Sequence, residues 1–171
     1  MHYLGLLAGL FGLDFLLKER VEAQKPEEFP RDLEGTGGKI RLYRNHNQGF
    51  CFGFLKEKAE LVRQIPIVIT SAAAGILAWL LTHKKSTLPE RLGFTLITAG
   101  GLSNLCDRLR KGYVVDYFSF QVKWLEKVVF NLGDLFLFAG TLFLAVGELL
   151  EGKNPKEGIR WPWQKRHEEA E

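Results

Sequence analysis

Two aspartates, Asp116 in VVDYF and Asp134 in FNLGD, lie at the edge of apolar sequence or just inside it. A carboxylate at membrane depth is costly, so such residues usually have a function. Two Asp side chains held close together share a proton, because both cannot easily ionise side by side. The ionised Asp takes a proton from the water molecule that attacks a peptide carbonyl. The protonated Asp hydrogen-bonds the carbonyl oxygen, and a proton later passes to the leaving amine. The pair predicts aspartic-protease chemistry, which requires no metal ion, cofactor or covalent intermediate.

Other polar residues are spaced so that they share a surface with this pair. Asn131 precedes Asp134 by three residues, so it lies on the same helical face, as a site residue or as the cap of a helix. In GGLSNLCDR, three polar residues lie at i, i+3 and i+4 on one face: Asn104, Asp107 and Arg108. The last two form either an ion pair at the membrane interface or a contact to substrate.

Small and paired residues nearby favour close packing. Gly100 and Gly101 would let another helix or a substrate backbone approach closely. Asp14 and Lys18 form an i, i+4 pair in the favourable order. We interpret this pair as structural, with Lys18 snorkelling to the interface or touching lipid headgroups.

Other chemistries find less support in the sequence. Cys51 and Cys106 are the only cysteines and form no CxxC pair, so packing is their default role. The four histidines are scattered and no HExxH motif occurs, which disfavours a zinc protease and a Ser/His pair. The net charge of +3 comes from interleaved bases and acids, which is unlike a nucleic-acid footprint and favours membrane lipid as the electrostatic partner.

Four long apolar runs must position these residues in a chain of 171 residues that is 46% hydrophobic. A helix needs about 20 residues to cross a bilayer. Four helices of a soluble bundle would show polar stripes, which 65–82 and 135–146 lack. We therefore expect one polytopic membrane domain over 1–171. Its four transmembrane helices are expected at about 1–18, 65–82, 88–106 and 128–150.

The predicted topology follows from the charges between the runs. The first run lacks a signal-peptide cleavage pattern and is read as a retained helix. The turn 82–91 has more basic than acidic residues, so this turn and both termini are predicted to be cytoplasmic. The segments 19–64 and 107–127 are then extracytoplasmic. Within them, 39–54 is partly alternating and suggests short strands or a hairpin, whereas 54–64 resembles an interfacial helix. The predicted fold class is an all-α membrane protein with a small extracytoplasmic β-like cradle and an interfacial helix.

The motifs together resemble the lipoprotein signal peptidase family, also called signal peptidase II, over nearly the whole chain. The matching pieces are LDFLLK from Leu13, NQGFCFGF from Asn47, GGLSNLCDR from Gly100, VVDYF from Val114 and FNLGD from Phe130. Each is weak alone, but five in this order with four apolar runs make a strong match. The resemblance implies a bacterial aspartyl endopeptidase of the cytoplasmic (inner) membrane, with its active site at the extracytoplasmic face. Its substrate would be a diacylglyceryl-modified prolipoprotein, cut just before the lipidated Cys to release the signal peptide.

The resemblance also assigns roles to single residues. It implies that Asp116 and Asp134 form the catalytic dyad. It implies contacts to substrate, or support of the dyad, for Asn47, Gly49, Asn104, Arg108 and Asn131. It implies mainly structural or positioning roles for Asp14 and Lys18. We assign the same kind of role to Asp107, Gly100 and Gly101.

Some positions depart from the family pattern. Phe50 and Cys51 stand where the family usually has small residues, which would narrow the substrate cradle. Gly133 stands where Ala is common, a sterically mild change that loosens the start of a helix by about 1 kcal/mol. The stretch 22–38 receives no role from the resemblance. The tail 158–171 contains two Trp residues and is expected to rest on the cytoplasmic interface.

Two other functions stay open from the residues alone. A non-proteolytic receptor or chaperone for lipidated signal peptides would follow if the altered cradle blocked cleavage. A small proton-coupled carrier would use Asp14, Asp116 and Asp134 as a relay. The sequence leaves the oligomeric state open, with a monomer as the simplest expectation.

Overall fold

The structure, a computed structural model, describes residues 2–49 and 58–151. The helices are α1 His2–Glu22, α2 Ala59–Thr82, α3 Leu88–Lys111 and α4 Leu132–Glu151. The strands are β1 Arg31–Asp32, β2 Ile40–Asn47 and β3 Val114–Phe120. A mostly helical protein with a small sheet was therefore predicted correctly. In the described part of the chain, Glu60–Thr82 and Leu132–Leu150 are long and apolar enough to cross a membrane.

Helix α3 lies between the other helices and contacts α1, α2 and α4. It begins with a capping box, in which Thr87 Oγ1 accepts from the Glu90 N–H and Glu90 Oε2 accepts from the Thr87 N–H. It ends at Gly112, whose φ of 82° is accessible to glycine at little cost. The turn at Gly112 leads directly into β3, which begins at Val114.

Glycines bring α3 and α4 close together. On α4, Gly133, Gly140 and Gly147 recur at every seventh residue, and α3 carries Gly93 and Gly100 with the same spacing. A Cβ at Gly140 would lie 2.6 Å from the Gly93 carbonyl oxygen, and one at Gly100 would clash with the Gly133 carbonyl oxygen. The two backbones are therefore in contact along this seam.

The second glycine of the α3 pair faces a different helix. A Cβ at Gly101 would lie 2.8 Å from Thr70 Oγ1 of α2. Gly100 thus allows the close contact of α3 with α4, and Gly101 allows its close contact with α2.

Strand β2 lies in the middle of a three-stranded antiparallel sheet, between β1 and β3. Leu42 pairs with Phe118 before a bulge, and Asn45 pairs with Asp116 after it. Such bulges redirect side chains and are common next to active sites. Here the changed register leaves Asn47 beside Asp116, with its Nδ2 atom 3.0 Å from Asp116 Oδ2.

Several predicted boundaries differ from the observed ones. The described part of 39–54 contains one strand, β2, which pairs antiparallel with the preceding short strand β1 on one side and with β3 on the other. Of the predicted interfacial helix, 59–64 are the first turns of α2, while 54–57 lie outside the described residues. The stretch 22–38 contributes β1 at the sheet edge.

The fourth helix begins later than its apolar run because Phe130 pairs with β3. The Phe130 N–H donates to the Phe118 carbonyl at 2.7 Å, and the Phe130 carbonyl accepts from the Tyr117 and Phe118 N–H groups. Lys123–Lys127 form a short 3-10 helix, and Phe130 then makes an isolated bridge to Phe118 at the free edge of β3. This pairing brings the start of α4 beside Asp116.

We expect Gly140→Ala to lower the free energy of unfolding by about 1–3 kcal/mol, because the added methyl group overpacks the α3–α4 contact. Thermal unfolding in detergent measures the change. Gly75→Ala in α2 is the matched control, since outside its chain neighbours and its own helix backbone no described atom lies within 4 Å of a Cβ at Gly75. Equal melting temperatures for the two variants would contradict close packing at Gly140.

Candidate active site

Asp116 is held in β3 by amide donors from two sides. Its side chain is buried, and the residue is 2% exposed. Asn47 Nδ2 of β2 donates to Asp116 Oδ2 at 3.0 Å, and Asn131 Nδ2 donates to Asp116 Oδ1 at 2.7 Å. Both oxygens therefore have an uncharged hydrogen-bond donor.

Asn131 joins the two aspartates, because it also caps the helix that carries Asp134. Asn131 Oδ1 accepts from the Asp134 N–H at 2.9 Å, and Asp134 Oδ2 accepts from the Asn131 N–H at 3.3 Å. This reciprocal arrangement is a capping box with Asp at its third helical position. One buried side chain thus fulfils both roles that the sequence left open, as a cap of α4 and as a contact to Asp116.

The other oxygen of Asp134 faces α3. Asn104 Nδ2 donates to Asp134 Oδ1 at 2.9 Å, and Asn104 Oδ1 accepts from Lys18 Nζ at 2.7 Å. Asp134 is partly exposed, in contrast to Asp116. The two carboxylates therefore differ in surroundings although they share one amide.

Lys18 is fully buried, so its predicted snorkelling to the interface is wrong. Its Nζ atom lies 3.0 Å from Asp14 Oδ2 and 3.2 Å from Asp107 Oδ2, and it donates to Ser103 Oγ at 3.2 Å. An ammonium without water needs such partners, because burying an unpaired charge is very costly. The predicted Asp14–Lys18 pair exists, inside the protein.

Asp107 and Arg108 have separate partners in the structure. Asp107 Oδ1 lies 3.0 Å from Lys111 Nζ, and Asp107 Oδ2 accepts from the Val115 N–H at 3.1 Å, which fixes the first residues of β3. Arg108 Nη2 donates to the Gly49 carbonyl at 2.6 Å. Asp107 thus supports the fold, whereas Arg108 ties the described end of the 39–49 segment to α3.

Gly133 lies among these side chains, and the space beside it is tighter than the sequence suggested. A Cβ at Gly133 would lie 3.0 Å from Asn131 Oδ1 and from Asp14 Oδ2, and 3.1 Å from Asn104 Oδ1. An alanine at this position would therefore require these three oxygens to shift by a few tenths of an ångström. The other departures, Phe50 and Cys51, lie outside the described residues, as does the tail 158–171.

Burial, and after it the charge of the nearby Asp134 carboxylate, raises the pKa of Asp116 to about 7. The amides of Asn47 and Asn131 oppose this shift, because they donate to the ionised form. Asp116 therefore holds a proton near neutral pH, as one member of an acid–base pair must.

The donors around these carboxylates suit proton transfer. Within residues 2–49 and 58–151, no group of three or more His, Cys, Asp or Glu side chains could hold a metal ion. The carboxylates instead receive N–H donors from asparagine side chains and backbone. Donors of this kind can stabilise one protonated and one ionised carboxyl group, a combination that is able to activate a water molecule.

Two polar residues of this network had no role in the sequence analysis. Ser103 donates to Asp14 Oδ2 at 2.6 Å, and the Tyr117 hydroxyl donates to Asp14 Oδ1 at 2.9 Å. A tyrosine inside an apolar strand is the available signal for the second contact, because buried tyrosine hydroxyls usually find a partner.

Solved structures share this architecture. A bacterial membrane enzyme determined by the in meso method at 2.3 Å resolution matches with a TM-score of 0.76 and 22% identity, covering 94% of both chains. A second bacterial membrane enzyme, at 1.9 Å resolution, matches with a TM-score of 0.71 and 21% identity, covering 86% of this chain and 92% of the other. At these identities the likeness establishes the fold.

Sequence comparisons identify the family. The profile of signal peptidase (SPase) II matches residues 6–150. The lipoprotein signal peptidase of Allorhizobium ampelinum is 32% identical over 84% of this chain and 85% of its own length, and that of Streptococcus pneumoniae is 32% identical over 85% and 90%. The Clostridioides difficile lipoprotein signal peptidase is 39% identical over 58% of this chain, and the aligned part is 64% of that relative. On the profile match and the two longer alignments, the chain belongs to the signal peptidase II family of peptidases.

Proposed function

We propose that this protein is a membrane aspartyl endopeptidase that removes the signal peptide from diacylglyceryl-modified prolipoproteins by cleavage just before the lipidated Cys. Family membership supports the removal of signal peptides from prolipoproteins. The single observation that supports the aspartyl mechanism is the Asn131 side chain, which contacts Asp116 and the Asp134 N–H at once. The link that Asn131 makes between Asp116 and Asp134 supports shared proton chemistry.

The two aspartates have different roles in this mechanism. Asp116, protonated below about pH 7, hydrogen-bonds the scissile carbonyl oxygen. Asp134, the less buried carboxylate, takes a proton from water as the water oxygen attacks the carbonyl carbon. When the C–N bond breaks, a proton passes to the leaving amine and the pair returns to one proton. Asn104 and Asn131 orient the carboxylates, and Asn47 orients Asp116.

We also propose that the chain is a single domain over 1–171 with four transmembrane helices, both termini in the cytoplasm and the site at the extracytoplasmic face of the bacterial inner membrane. The apolar faces of α2 and α4 support this placement. A site at that surface lets lipid chains enter from the bilayer while water reaches the scissile bond. Arg108 and Gly49, which are joined by a hydrogen bond, are candidates for substrate contact.

The rival functions fit this geometry less well. A receptor gains nothing from two costly carboxylates. A carrier requires carboxylates spread through the membrane depth, whereas Asp116 lies in the sheet and Asp14 is occupied by Lys18 and Ser103. Binding without cleavage by the wild-type protein would favour the receptor.

We expect Asp116→Asn and Asp134→Asn each to lower kcat by about 100-fold or more, because each removes a proton-transfer group while keeping the size of the side chain. A gel-shift assay on a diacylglyceryl-modified prolipoprotein measures cleavage in detergent. Asp32→Asn is the control, since Asp32 is exposed in β1 and pairs with Arg41. If either dyad variant cleaved the substrate as fast as the wild-type protein, the mechanism would be refuted.

The raised pKa of Asp116 predicts how cleavage depends on pH. A group with a pKa of about 7 is protonated below that pH and loses its proton above it, so kcat/KM, which follows the titration of the free enzyme, should fall as the pH rises through about 7. Asn47→Ala removes a donor that stabilises the ionised form, so it should move this fall to higher pH. Asn45→Ala, on the exposed part of the same strand, is the control. A rate that increases above pH 7 would show that Asp116 is not the acid.

A further inference from the structure

The hydroxyl of Tyr117 lies in a buried triangle of polar atoms. It donates to Asp14 Oδ1 at 2.9 Å and accepts from the Leu132 N–H at 3.1 Å. The Leu132 N–H also reaches Asp14 Oδ1, at 3.0 Å. Tyr117 is 5% exposed and Asp14 is fully buried, so water is excluded as the usual alternative partner. The three atoms depend on one another for their hydrogen bonds.

The hydroxyl is a permanent donor in this setting. Burial raises the pKa of Tyr117 well above its usual range, and the Asp14 charge raises it further, so the phenol stays protonated. The other oxygen of Asp14 is occupied by Lys18 at 3.0 Å and Ser103 at 2.6 Å. Oδ1 therefore relies on Tyr117 and the Leu132 N–H.

Leu132 is the first residue of α4, and its N–H has no partner within the helix. Capture by a hydroxyl and a carboxylate satisfies it, and the negative charge of Asp14 suits the positive end of a helix. Asn131, which contacts Asp116, immediately precedes Leu132, and Asp134 lies two residues after it. Fixing the Leu132 backbone therefore also restricts the positions of Asn131 and Asp134, its neighbours in the chain.

We infer that Tyr117 is a positioning residue of the peptidase, whose hydroxyl, with Asp14, fixes the first turn of α4 and thereby sets Asp134 relative to Asp116. The inference rests on the proposed function. Tyr117 follows Asp116 in β3, so a single strand carries one carboxyl group of the dyad and the group that locates the other. The hydroxyl touches Asp14 and the backbone of α4, and it acts on the reaction through them.

The test is Tyr117→Phe, which removes the hydroxyl and keeps the ring. Because small misplacements of reacting groups slow catalysis strongly, we expect kcat to fall about tenfold while KM for a diacylglyceryl-modified prolipoprotein stays within about twofold. The rates are normalised to the folded fraction, measured by thermal unfolding in the same detergent. A merely structural role would lower the folded fraction and leave the normalised kcat and KM unchanged.

Tyr113→Phe is the matched control, since the Tyr113 hydroxyl also donates to a carboxylate of α1, that of Glu22, at 3.1 Å. It should keep both the normalised kcat and KM of wild type. A normalised kcat of Tyr117→Phe equal to that of wild type or of Tyr113→Phe would overturn the inference. A rise in KM at unchanged kcat would overturn it as well.

Asp134→Asn in the same assay separates this inference from the proposed function. If Asp134→Asn is inactive and Tyr117→Phe has wild-type kcat, the positioning role fails and the dyad stands. If Asp134→Asn cleaves like wild type, the dyad fails and the positioning role fails with it.

Discussion

Burial of the Lys18 ammonium is the constraint on which the rest of this structure depends. A charge without water requires opposite charge and hydrogen-bond acceptors on every side, and here α1 and α3 supply Asp14, Asp107 and Ser103. The partners of Lys18 reach further elements in turn. Asp107 holds the first residues of β3, and Asn104, also bound to Lys18, holds Asp134 of α4. Lys18 and the side chains that contact it form a polar core. This polar core connects α1, α3, α4 and the sheet through a continuous network of hydrogen bonds and ion pairs.

The polar core contacts the candidate active site at the start of α4. A helix begins with N–H groups that lack internal partners, and these donors can be used by neighbouring side chains. Asn131 satisfies the Asp134 N–H and contacts Asp116, while Asp14 satisfies the Leu132 N–H. The same interactions therefore cap a helix and connect Asp116 to the segment that carries Asp134. Capping and site geometry cannot be separated in this segment.

The glycine seam between α3 and α4 makes that arrangement possible. Contact between the backbones at Gly100 and Gly133 allows the short side chain of Asn104 to reach Asp134. With larger residues at these positions the helices would move apart and the amide would no longer bridge the gap. The close packing needed for a stable helix pair in a membrane also serves the proposed chemistry.

The sequence by itself determined the local features of this protein. The four apolar runs and the candidate carboxylates Asp116 and Asp134 follow from residue types and spacing that act over a few residues. The tertiary structure alone decided that β2 pairs with β3 and that Lys18 turns inward. It also decided that Tyr117, in the same strand as Asp116, reaches Asp14 and the start of α4. Periodicity reports which residues share a face of one element, whereas strand pairing and buried charge depend on partners distant in the chain.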